Sequence, residues 1–177
     1  MNHTTFFKRL APLLAVAVKN TPLLSQSALS VAILLASPAV VEAQFTFNTN
    51  NDSITITGYT GTNGTVSIPE TTNGYPVTSI GSDAFSFSTN LTSVSIPDSV
   101  TNIGSDAFYD CTSLTNVTIP GSVSGIGSYA FFDCTHLTSV IIGTGVTNVG
   151  TSAFAACSQL KYIFFSSNAP SPGSSVF

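Results

Sequence analysis

Three stretches of the chain are near-copies of one another. They read TSVSIPDSVTNIGSDAFYDCTSL from Thr92, TNVTIPGSVSGIGSYAFFDCTHL from Thr115 and TSVIIGTGVTNVGTSAFAACSQL from Thr138. A looser copy precedes them. A fixed short period means that each copy is one structural unit stacked on the next, because a unit this small cannot bury its own apolar face alone. The period also sorts the residues into columns. Phe85, Phe108, Phe131, Phe154 and Phe177 share one register, and Leu91, Leu114, Leu137 and Leu160 another. Ile80, Ile103, Ile126 and Val149 form a third column, each followed by glycine (Gly81, Gly104, Gly127, Gly150), and Val77, Val100, Val123 and Val146 a fourth. Each column is expected to run as a stripe of like side chains along a solenoid axis.

Within a copy, the alternation Leu91-x-x-Val94-x-Ile96 reads as a short strand closed by Pro97, a residue tolerated where pairing stops. Val94 and Ile96 then face inward, and Ser93 and Ser95 face out. A second extended piece runs from Val100 to Ile103. The Ser105 to Cys111 segment reads as one helical turn, capped by Ser105, with Ala107, Phe108 and Cys111 on one face. The fold class expected is therefore an α/β repeat solenoid of parallel strands and short helical turns.

The repeats occupy residues 65–177, near 65–91, 92–114, 115–137 and 138–160, with a partial copy at 161–177. Ahead of them, residues 44–64 read as an N-terminal β-hairpin cap and a turn-rich joint: Phe45 and Phe47 alternate with polar residues, Asn50-Asn51-Asp52 supplies turn chemistry, and Ile54 and Ile56 alternate again. The first repeat carries extra residues between Pro69 and Val77, and Asn73-Gly74 is the natural tip of the resulting bulge. The last copy stops at Phe177, which leaves open a truncated chain or an edge that meets a partner.

Residues 1–43 read as a secretory signal peptide. Lys8, Arg9 and Lys19 precede an apolar run from Ala28 to Val41, and Val41-Glu42-Ala43 offers small residues at cleavage offsets, so that Gln44 opens the mature chain. An uncleaved anchor is the alternative, but neither apolar patch reaches the ~18 residues a span requires. The mature chain is expected to hold no transmembrane segment and to be secreted or displayed at the cell surface.

Charged residues make up 7% of the chain and the net charge is −4, against roughly 25% charged in ordinary soluble domains. After residue 43 the sole Lys or Arg is Lys161. Nucleic acid is thereby excluded as an expected partner, since phosphate binding needs clustered bases.

Three kinds of chemistry deserve weighing. Cys111, Cys134 and Cys157 fall at the repeat period, as a disulfide, a metal site or a column of small buried side chains; parallel Cβ vectors suit bridging poorly. His136 aligns with Ser113 and Gln159, polar surface positions, with no nucleophile or orienting carboxylate selected for it. Asp106, Asp110 and Asp133 could converge on calcium, but no Asp-x-Asp-x-Asp-Gly loop is present. The expectation is no enzyme, no cofactor and no metal. Asn90-Leu91-Thr92 and Asn116-Val117-Thr118 match the glycosylation sequon, a short and weak pattern.

The phrase IPDSVTNIGSDAFYDCTSL at Ile96–Leu114 and its copies resemble the BspA-like leucine-rich repeat family, from Thr65 to Phe177. The resemblance implies an exported, right-handed leucine-rich-repeat coil with a parallel sheet on its concave face, associated with adhesion and protein binding. It brings no catalytic set. The chain departs from the pattern at Ser99, Ser122 and Gly145, where commoner repeats place Asn or Cys, and Gly143 stands in place of the strand-ending proline.

The binding candidates are then the outward-facing residues of the concave strands: Ser93, Ser95, Asn116, Thr118, Ser139, Ile141, Tyr162 and Phe164. Along this row the surface changes from small and polar to apolar and aromatic, and exposed aromatics favour binding. The expected function is a non-catalytic surface module that binds a protein or another macromolecule. The competing reading makes it a structural spacer, or a fragment of a larger adhesin, whose Ile141, Tyr162 and Phe164 merely contact a cap.

Overall fold

The computed structural model describes residues 44–166, 171–172 and 176. The signal-peptide reading of residues 1–43 and the Phe177 column position lie outside these. Among the described residues no helix is long and apolar enough to cross a bilayer.

The described residues form a β-solenoid with three sides to each turn. One side is a long ladder. It begins with an antiparallel hairpin, β1 (Phe45–Asn50) and β2 (Ser53–Tyr59), and continues in parallel through β5 (Tyr75–Ile80), β7 (Asn102–Ile103), β9 (Gly125–Ile126), β11 (Asn148–Val149) and β13 (Ser171–Pro172). The hairpin is the first rung of this ladder, with Ile54 opposite Val77 and Ile56 opposite Ile80. A second side carries β3 (Thr65–Ser67), β6 (Ser93–Ser95), β8 (Asn116–Ile119), β10 (Ser139–Ile142) and β12 (Tyr162–Phe165). Small β4 (Thr71–Thr72) pairs back on Tyr75 and Pro76. Its tip is Asn73-Gly74, at φ 53° and 83°, the two left-handed residues that a tight hairpin turn requires.

The third side corrects the expectation of helical turns, and with it the α/β class. Two residues of each repeat, four apart, adopt left-handed φ: Asp83 and Phe87, Asp106 and Asp110, Tyr129 and Asp133, Ser152 and Ala156, all between 54° and 61°. A right-handed helix cannot pass through such residues. Hydrogen bonds alternate in consequence. The N–H groups of Asp106, Phe108 and Asp110 donate to Ser128, Ala130 and Phe132 in the following turn, whereas those of Tyr109 and Cys111 close local turns on Asp106 and Phe108. A helix is about 10 Å wide, whereas strands repeat at about 4.8 Å. Overlapping turns advance at the strand spacing, so successive repeats stay in contact on every side.

The phenylalanine column reports that spacing. Ring centroids lie 4.8 Å apart from Phe85 to Phe108, 4.9 Å to Phe131 and 5.2 Å to Phe154. Around it the Leu, Val, Ile and Ala columns form one continuous core. Where turns touch most closely the backbone leaves no room for a side chain: a Cβ on Gly104 would lie 2.6 Å from the Ser82 nitrogen. This accounts for the Ile-Gly pair of each repeat.

The scarcity of charge has a structural counterpart. Thr101, Ser124 and Thr147 each donate a side-chain hydroxyl to the carbonyl of the equivalent residue one turn earlier, at 3.1 Å. Thr115 and Thr138 do the same at another corner. A short hydroxyl side chain satisfies carbonyls at rung spacing, which a long charged one does not.

Candidate binding surface

The outward row of the second side is built by strand register. Ser139 sits between Asn116 and Tyr162, and Ile141 between Thr118 and Phe164. The alternate residues Val117, Val140, Ile119 and Ile142 are buried, so the pleat fixes which side chains face outward. Ile141, Tyr162 and Phe164 are 43%, 59% and 56% exposed. The Tyr162 and Phe164 rings stack with centroids 6.0 Å apart. These three apolar side chains form a contiguous patch on a hydrogen-bonded sheet.

The structure divides the eight candidates. Asn116, Thr118, Ser139, Ile141, Tyr162 and Phe164 lie on the three-stranded sheet β8-β10-β12, whereas Ser93 and Ser95 belong to a separate pair, β3-β6. The ladder opens between β6 and β8 into a groove of about 350 Å³ lined by Ser95, Ile96, Asp98, Asn116, Thr118 and Pro120. At the strand ends of the following turns, the N–H of Gly143 donates to Ile119 and that of Ser166 to Ile142. Pro120 occupies the same position and has no N–H to give. Pro97 lacks the same donor, and β3 and β6 nevertheless remain paired. Beside Tyr162, a hollow of about 560 Å³ is lined by Phe154, Cys157, Leu160, Ile163 and Phe165 among others.

The other candidates have structural roles. All three cysteines are free thiols. They are more than apolar fillers: Cys111, Cys134 and Cys157 donate Sγ–H to the carbonyls of Phe85, Phe108 and Phe131 at 3.1–3.2 Å. Burial pushes the Cys111 thiol up to about 12. The hydrogen bond shared with Cys157 raises Cys134, with burial adding to it, and the same bond lowers the half-buried Cys157. His136 is exposed, its Nδ1 2.7 Å from the Thr112 carbonyl. Asp106 is raised above the usual carboxylate value by partial desolvation and by the neighbouring Asp83. Among the described residues no group of three or more His, Cys, Asp or Glu side chains is placed to hold a metal ion.

Sequence reasoning missed a second aromatic surface, on the left-handed turns. Phe87 approaches Tyr109 at 5.5 Å between centroids, Tyr109 stacks on Phe132 at 5.2 Å, and Tyr129 meets Phe132 edge-on at 5.7 Å. The aromatic residues at 109 and 132 were a visible signal, but assigning this segment to a helix dispersed them.

Residues 78–177 match the family described as "BspA type Leucine rich repeat region", in six copies. No curated protein matches the chain. Among solved structures, a leucine-rich repeat protein from Bacteroides capillosus is 31% identical, with a TM-score of 0.64, over 70% of this chain and 95% of that one. A leucine rich cell surface protein from Faecalibacterium prausnitzii is 37% identical, with a TM-score of 0.56, over 69% of this chain and 41% of that one. A leucine-rich repeat protein from Bacteroides ovatus is 25% identical, with a TM-score of 0.58, over 68% of this chain and 39% of that one. The chain thus spans less than half the length of the latter two.

Proposed function

The chain belongs to the BspA-type leucine-rich repeat family, and from that membership we propose that it is an exported, non-catalytic module that binds a protein or other macromolecule at the cell surface. The observation that carries the reading is the exposed patch of Ile141, Tyr162 and Phe164. Strand pairing holds these side chains in place, so little conformational freedom is lost when a partner covers them. Large aromatic groups supply most of the binding energy at protein interfaces. The description of the Faecalibacterium relative as a cell surface protein supports the location.

The polar half of the row, Ser93, Ser95, Asn116 and Thr118, flanks the groove and is expected to act as a hydrogen-bonding rim. A second reading, a spacer without a ligand of its own, is favoured by the position of Tyr162 and Phe164 on β12, beside the apolar hollow. Replacing Tyr162 and Phe164 together by alanine separates the two. Loss of attachment to the native surface with unfolding unchanged supports binding, and full attachment by the folded variant leaves the spacer.

A further inference from the structure

The turn-lined side carries four aromatic rings in mutual contact, Phe87, Tyr109, Phe132 and Tyr129. Two of them reach well into solvent, Phe87 at 65% and Tyr129 at 40% exposure. Interleaved with them along the same segments are Asp83, Asp106, Asp110 and Asp133, half of the chain's eight acidic residues. Asp83 and Asp106 occupy one register in adjacent turns, as do Asp110 and Asp133, so like charges are brought together by the stacking itself. Lys161, the only Lys or Arg among the described residues, stands elsewhere, beside Tyr162 and the apolar hollow. Among the described residues the carboxylates therefore have no counter-charge from Lys or Arg. A metal ion is not the complement this surface fits, because no group of three ligating side chains is assembled there. An anionic partner is repelled. A guanidinium or ammonium group, by contrast, gains twice, over the negative faces of the rings and against the carboxylates.

We propose that this side of the solenoid is a second docking surface, distinct from the Ile141, Tyr162 and Phe164 patch, and that its occupant is an arginine- or lysine-rich polypeptide segment. The repeat sets the geometry: rings and carboxylates recur along the axis at about 5 Å per turn. An extended basic segment laid parallel to that axis meets a new ring or carboxylate at each step.

The test is binding of a fluorescein-labelled oligoarginine peptide to the full chain, followed by anisotropy at low and physiological salt. All variants are checked for unchanged urea unfolding. The four-site variant Asp83→Asn, Asp106→Asn, Asp110→Asn and Asp133→Asn removes the charge while keeping a residue that accepts left-handed φ. It is expected to weaken binding at least about tenfold. The variant Phe87→Asn with Tyr129→Asn keeps both net charge and backbone geometry, and is expected to weaken binding about tenfold through loss of the ring faces. The control Asp52→Asn, Glu70→Gln and Asp98→Asn, which removes acidic groups elsewhere, is expected to leave affinity within about twofold. Absence of oligoarginine binding overturns the proposal. So does equal weakening by the control, or no effect of the ring variant, since either result reduces the interaction to net charge.

Discussion

The Tyr59 ring stacks on that of Phe85 with centroids 5.2 Å apart and planes 26° from parallel. The terminal hairpin thereby contributes the first member of the column that continues through Phe108, Phe131 and Phe154. Phe45 closes over both, edge-on to Phe85 at 6.0 Å. Covering the end of a solenoid is in this chain an aromatic event as much as a backbone one.

This relationship orders the cost of breaking the column. Phe108→Ala removes a fully buried ring with neighbours on both faces and is expected to cost about 3–5 kcal/mol. Tyr59→Ala removes a half-buried ring with a single repeat neighbour and is expected to cost roughly half as much, still destabilising because Phe85 becomes exposed. Urea unfolding of the two variants measures both. A Tyr59→Ala variant as stable as the parent would show that the hairpin does not secure the repeats.

The left-handed turns predict an inversion of ordinary helix logic. Ala156, exposed and at φ 61°, gains where a helical alanine would lose: Ala156→Gly is expected to stabilise by about 1 kcal/mol. Asp106→Asn should be tolerated for the same conformational reason. The Asp106 carboxyl is raised by partial desolvation, then by Asp83, so its ionised form is the disfavoured one in the folded state. Its contribution is therefore complete below the unfolded value near 3.8 and is lost as pH rises through the raised folded value. Asp106→Asn is expected to flatten that part of the stability–pH curve. Thermal melts across the acid range read the slope, and an unchanged slope in the variant would refute the assignment.

The thiol ladder predicts graded reactivity. Cys111 and Cys134 are fully buried, whereas Cys157 is partly open. Only the thiolate is nucleophilic. At neutral pH a disulfide-exchange reagent is expected to titrate Cys157 in the folded protein and all three thiols in urea; rapid modification of Cys111 without denaturant would contradict the structure. The Cys111 thiol, raised from 9.0 to about 12 by burial, adds an alkaline limit. Its stabilising contribution is whole below about pH 9 and is lost between about pH 9 and 12 as the unfolded chain ionises first. Cys111→Ala is expected to move the alkaline unfolding midpoint upward.

How far the chain could be read depended on whether each feature was recorded by side-chain periodicity or by backbone pairing. The Phe, Leu and Ile-Gly columns were visible because apolar residues recurring in phase admit one arrangement, a stack in which each buries the next. Asn73-Gly74 was visible because few residue pairs take two successive positive φ values. The outward row followed from strand alternation alone, with Ile141 and Phe164 meeting in register. The geometry of Ser105 to Cys111 was not legible in this way. Its spacing suits a helical face equally well, and only contact with the next turn, where Phe108 donates to Ala130 in place of a helical partner, selects left-handed turns. The opening between β6 and β8 was likewise hidden: Pro97 and Pro120 stand at the same place in their repeats, yet β3 pairs with β6 while β6 and β8 fall in separate sheets. Repetition in one dimension therefore determined that the chain coils and which side chains line its interior. Which backbone groups pair between coils, and so where the sheet is continuous and which rings meet on its surface, was decided by three-dimensional contact, because a hydrogen bond between residues about 22 apart has no local signature.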